Sequence, residues 1–142
     1  QVWCHEIGAS RMLHGIAIKQ RYPGHAKQVG VLSASCGSTV YGCKMVVVVD
    51  DDIDVSNFEQ LMWAMATRCD PATSIDILRR MRTSPADPRL TPEQRKARDL
   101  TNSRMVVDAT RPYDWRDKFP RVNAPSQESA RKGREKYGYL LK

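Results

Sequence analysis

Val46-Val47-Val48-Val49 is a run of β-branched apolar residues without polar alternation, and it ends in Asp50-Asp51-Asp52-Ile53-Asp54. Such a run predicts a strand buried on both faces, with the aspartates emerging where it leaves the sheet. Residues 14–20 show β-branched character with some alternation and are broken by Tyr22-Pro23-Gly24, which predicts a preceding strand. From His25 to about Ser35, Ala26, Val29 and Leu32 recur at helical spacing, and Gly37 and Gly42 bracket a turn before the valine strand.

Downstream, Ser56-Asn57-Phe58-Glu59 has the form of a capping box, with Ser56 at the N-cap and Glu59 three residues on. Phe58, Leu61, Met62, Met65 and Cys69 supply the apolar stripe of the helix, and Asp70-Pro71 ends it. Residues 74–78 alternate like a strand, and residues 104–109 return to strand character. The order predicts an α/β fold, a layered βαβαβ-type domain with a mixed sheet. Residues 83–102 carry Pro85, Pro88 and Pro92 with few apolar positions and are expected to form a long Pro-rich loop excursion. Residues 116–142 are expected to be a polar tail with a C-terminal helix from Ser126 to about Leu141.

A chain of 142 residues, 41% hydrophobic and 27% charged, is the size of one domain. No apolar run reaches the roughly 18 residues that a membrane-spanning helix needs. The chain begins at Gln1 and not Met, which suggests a processed product or a fragment. Cys4, Cys36, Cys43 and Cys69 form no CxxC pair, as expected for reduced thiols in a cytoplasmic protein.

The formal charge of +7 is unevenly spread. Residues 79–104 hold eight Lys or Arg against three acids, and residues 116–142 hold the same numbers. The basic stretches lack the interleaved aromatics of a stacking surface, so no nucleic-acid partner is expected. A basic module that docks onto acidic partners or nucleic acid is the alternative that this charge leaves open.

Asp50, Asp51 and Asp52 could hold magnesium, because hard cations take several carboxylate oxygens; a small Mg-dependent phosphoryl-transfer or receiver-like domain would use them so. Asp residues before a helix N-terminus also favour its positive end, which is a purely structural reading. His5, His14 and His25 lack ligand-like spacing, and no Gly-x-Ser-x-Gly elbow is present. No catalytic constellation and no metal site are therefore assigned.

Four segments, in order, resemble the C-terminal domain of the UbiD family of decarboxylases, which use a prenylated flavin. They are Ile18-Lys19-Gln20-Arg21-Tyr22-Pro23-Gly24-His25-Ala26-Lys27; residues 46–54 running into Asn57-Phe58; Met62-Trp63-Ala64 with Thr67-Arg68-Cys69-Asp70-Pro71; and Ser103-Arg104-Met105-Val106-Val107-Asp108-Ala109-Thr110. The resemblance implies a single C-terminal domain over residues 1–142, with residues 1–12 a linker from a preceding flavin-binding domain. It implies that this preceding domain holds prenylated FMN, manganese and the Glu-Arg-Glu set that decarboxylates an aromatic or unsaturated carboxylic acid.

The fragment alone is then expected to bind no cofactor and to be inactive. Its implied roles are structural support, homo-oligomer formation and capping of the cofactor in the parent carboxy-lyase. A family lysine that reaches the flavin phosphate corresponds to Arg104, the one cofactor-binding residue implied here. On the same resemblance, the aspartate run loses its metal role and becomes a strand end that launches a helix.

Overall fold

The computed structural model describes residues 1–37, 41–122 and 126–140. Five strands, β1 (Val2–Cys4), β2 (Leu13–Ile18), β3 (Met45–Asp50), β4 (Ile75–Arg82) and β5 (Thr101–Ala109), form one sheet in the order β1-β2-β3-β5-β4. The three central strands β2, β3 and β5 are parallel, and both edge strands are antiparallel to their neighbours. The mixed α/β sheet is the expected one. Residues 2–4 are not a free linker: Trp3 pairs with Gly15, and the Gln1 amino group donates to the Ala17 carbonyl.

Continuous burial explains why β3 shows no alternation. Val46 and Val48 face α1 (His25–Ser35), while Val47 and Val49 face α2 (Phe58–Arg68), and all four are fully buried. Helix α1 departs from the predicted stripe, since its buried residues are Ala26, Gly30 and Ala34 and Leu32 is exposed. Small side chains let the helix approach the sheet closely. A Cβ on Gly30 would lie 2.3 Å from Val106 Cγ1. Gly30→Ala is therefore expected to destabilise by about 1–3 kcal/mol through overpacking, despite the roughly 1 kcal/mol that alanine normally gains in a helix. A urea midpoint unchanged or raised in Gly30→Ala would refute the close-approach argument.

Helix α2 also shifts from its predicted cap and face. Asn57, and not Ser56, is the N-cap and accepts the Gln60 N–H, while the Ser56 N–H and hydroxyl both donate to Asp54. The buried positions are Leu61, Ala64 and Arg68; Met62 is exposed, because the site below draws Arg68 onto the inner face.

The stretch 83–102 is more ordered than a loop excursion. β4 runs on to Arg82, a short helix α3 (Pro92–Lys96) carries a full Thr91–Gln94 capping box, and β5 starts at Thr101. The segment closes around Asp87, whose carboxylate takes the Lys44 Nζ at 2.7 Å, the Arg89 N–H and the Asn102 amide. Polar satisfaction of one buried carboxylate thus replaces the missing apolar core.

Burial works to raise the Asp87 carboxyl pKa, but Lys44, the Arg89 N–H and Asn102 outweigh it and hold the group at about 2, against an ordinary 3.8. Its stabilising contribution is fully present above the ordinary value and lost as pH falls through about 2. At neutral pH wild type should exceed Asp87→Asn by about 2 kcal/mol, a difference that vanishes on acidification through that window. Parallel stability–pH curves for the two proteins would exclude this role.

The predicted tail contains α4 (Gln127–Tyr137), capped by Ser126, which accepts the Ser129 N–H. The turn predicted between Gly37 and Gly42, and the helix end at Leu141, fall partly outside the described residues.

Candidate functional site

In a parallel sheet, the carboxyl ends of the strands open where the chain reverses over the two faces, and ligands tend to bind there. β2, β3 and β5 end together at Ile18, Asp50 and Ala109, which brings Gln20, Asp50, Asp52, Arg68 and Arg111 to one place. Asp50 is buried beneath them. Its Oδ1 accepts from Gln20 Nε2 at 2.8 Å, and its Oδ2 accepts from Arg68 Nη1 at 3.1 Å and from the Arg111 main chain and Nε at 2.8 and 3.1 Å.

Arg68 then forms a two-pronged pair with Asp52, at 2.9 and 2.8 Å, and its guanidinium lies 5.3 Å from the centroid of the Trp63 ring. The hydrogen bond from Arg68 is the main cause that draws the Asp52 carboxyl below its usual range. Burial would lower the Arg68 pKa, but the two aspartates more than compensate and raise it. The fork geometry gives each charge a directional partner, as a buried ion needs.

This arrangement overturns the reading of Asp50, Asp51 and Asp52 as a magnesium cluster. Asp50 has its oxygens filled by cations and amides, Asp52 is neutralised by Arg68, and Asp51 is exposed. Among the described residues, no three His, Cys, Asp or Glu side chains converge into a metal-holding group. The aspartates' partners, Arg68 and Arg111, lie 18 and 61 residues from Asp50, and the family segment that contains Arg68 does not itself announce an ion pair. Only the position of Arg68 on the inner face of α2 could have signalled the pairing.

Arg104 lies at the other end of β5, with its side chain between α1 and β4. It is 1% exposed, and its guanidinium donates to the main-chain carbonyls of Ala34 and Arg82. As placed, it clamps the end of α1 to the edge strand.

Next to it, between β1, β2 and the outer side of α1, an apolar cavity of about 830 Å³ is lined by Val2, Ile16, Val29 and Leu32, with His14 and Cys43 among its polar walls. Burial, ahead of all other causes, lowers the His14 pKa and pushes the Cys43 thiol up to about 11, so both are neutral near pH 7. Cys43 and Cys69 are thiols whose pKa burial raises. This wall is largely hydrophobic.

Comparison with known proteins agrees with this layout. Residues 1–109 match the family model of the 3-octaprenyl-4-hydroxybenzoate carboxy-lyase C-terminal domain. A phenolic acid decarboxylase of Bacillus subtilis is 36% identical over 97 residues, covering 68% of this chain and 19% of the relative. A phenolic acid decarboxylase of Sedimentibacter hydroxybenzoicus is 35% identical over 103 residues, covering 70% and 20%. The chain thus spans about a fifth of the length of these curated relatives.

Among solved structures, the UbiD-class enzyme HmfF from Pelotomaculum thermopropionicum, in complex with FMN, superposes with a TM-score of 0.75 at 28% identity, covering 90% of this chain and 27% of that one. The closed form of vanillic acid decarboxylase from Sedimentibacter hydroxybenzoicus gives 0.67 at 30% identity, covering 91% and 26%. With a mixed sheet of this order, a family match over residues 1–109 and UbiD-class enzymes as structural neighbours, the chain belongs to the UbiD C-terminal domain family.

Proposed function

We propose that this chain is the structural, oligomer-forming and cofactor-capping C-terminal domain of a non-oxidative decarboxylase that acts on an aromatic or unsaturated carboxylic acid. The observation that carries the reading is the family match over residues 1–109 in a chain that corresponds to only about a fifth of its decarboxylase relatives. Loss of CO2 from an sp2 carbon leaves an electron pair that needs a sink, and a prenylated flavin in the parent enzyme supplies one. The described residues contribute no acid–base pair for that step. What they contribute is a rigid sheet edge held by Asp50 and an apolar wall beside β1.

The partners follow from these surfaces. The apolar cavity, with Val2 and Leu32 exposed at its mouth, and the Trp63 and Phe119 cleft beside Arg68 suit the flavin-binding domain and a second copy of the polypeptide. Four cysteines without a CxxC pair favour a cytoplasmic setting, and among the described residues no helix is long and apolar enough to cross a membrane.

Arg104 is read as the cofactor-binding residue that reaches the flavin phosphate in the assembled enzyme, once its guanidinium turns from the carbonyls of Ala34 and Arg82. Its support is its place within the matched residues and the affinity of guanidinium for phosphate. The test compares the intact parent with a version that lacks this domain, measuring CO2 release from hydroxybenzoates and flavin retention on gel filtration. Both should be lost on deletion, and the isolated chain should release no CO2. Turnover by the isolated chain, or full activity without it, would sink the proposal.

A further inference from the structure

Apart from Arg104, the basic residues of the stretch 79–104 have no part in the proposed function, yet the fold gathers some of them into one cleft. β4 and β5 pair in register from Ile75 to Leu78 and again from Met81 to Arg82, and the shift between these blocks leaves Arg79 and Arg80 outside the ladder. Arg80 takes a positive φ of 55°. After α3, Arg98 does the same at 56°, in a turn closed by the Asp99 N–H on the Gln94 carbonyl and the Leu100 N–H on the Arg98 carbonyl. Positive φ in a side chain without local hydrogen-bonding capacity is uncommon. Among the described residues other than glycine, positive φ also occurs at Ala9 and Ser10, but only the two arginines, one in β4 and one in the turn after α3, line the same space.

That space is a cleft of about 400 Å³ lined by Arg80, Arg82, Arg98, Asp99, Leu100 and Thr101. Among the described residues, none of the three arginines forms an ion pair. The one acid in the cleft, Asp99, accepts the Thr101 hydroxyl at 2.8 Å. Three arginines thus line one concave surface with a single acidic residue, and like charges gathered together repel. The floor is fixed, because Arg104 grips the Arg82 carbonyl from below while its own guanidinium turns inward. Charged side chains on an edge strand also discourage strand pairing, but that role needs no contribution from Arg98 on another element.

We propose that this cleft binds a multiply charged, phosphate-bearing anion free in solution, held by Arg80, Arg82 and Arg98. Guanidinium forks match phosphate oxygens in pairs, and an anion with two or more phosphates can satisfy all three. The volume suits a small ligand and not an extended chain.

The test is calorimetric titration of the full chain with pyrophosphate at low and at physiological salt. Saturable one-to-one binding is expected, stronger than for orthophosphate and weakened by salt. Arg98→Ala should weaken it by about tenfold, while Arg131→Ala, which removes a charge from the distant α4, should leave it unchanged. No saturable heat up to millimolar pyrophosphate overturns the proposal, as does an equal loss in Arg98→Ala and Arg131→Ala, which would mark general charge attraction. Sedimentation with phosphatidylcholine vesicles carrying a phosphoinositide should retain no more chain than plain vesicles. Retention that Arg98→Ala abolishes would assign the cleft to a lipid headgroup and overturn the soluble ligand.

Discussion

Asp50→Ala should cost about 3–5 kcal/mol of folding stability at neutral pH, because it removes one partner from a buried charge and leaves the other behind. The Arg68 side chain is 2% exposed and would keep only Asp52, which is itself 41% exposed. The Arg111 N–H would also lose its acceptor and Gln20 Nε2 one of its two, and β3, α2 and the segment after β5 would lose the group that ties them together. Urea denaturation of the two proteins measures the effect. A loss below about 1 kcal/mol would mean that water replaces the carboxylate and that the clamp is not buried in solution. The double replacement Asp50→Leu with Arg68→Met should recover much of the loss, since apolar groups of similar volume dispense with both desolvation terms.

Leu61→Ala should cost a comparable amount, about 2–5 kcal/mol, through lost burial and the cavity left behind. Leu61 is fully buried at the centre of the α2 layer, and its two methyl groups lie 3.4 Å from where a Cβ on Gly15 would stand. The missing side chain at Gly15 is thus filled from the opposite helix. Emptying the position leaves no neighbour able to collapse into it, because Val55 already packs 3.2 Å from the same point. Equilibrium unfolding should show a lower midpoint with an unchanged denaturant slope. A loss under about 1 kcal/mol would show that the layer repacks.

The apolar runs disclosed most of the layered fold. The uninterrupted valines could only be a central strand, because a strand covered on both faces has no reason to alternate. Three departures share a cause, namely that a partner distant in sequence outweighed the local pattern. Arg68 sits on an inner helix face because Asp50 and Asp52 meet it there. Gly30 and Ala34 replace Leu32 at the α1 interface because closeness, and not hydrophobicity, sets that contact. Residues 83–102 fold around Asp87 although few apolar residues mark them for burial.

The sequence by itself determined the family, the central strands and the two covering helices, because periodicity and motif order are local properties of the chain. Tertiary structure alone decided the fate of the charges. It closed Asp50 and Asp52 onto arginines, turned Arg104 inward to carbonyls, and gathered Arg80, Arg82 and Arg98 around one cleft. The energy of an ion depends on its burial and on where its counter-charge stands, and both are set by residues brought together only when the sheet assembles.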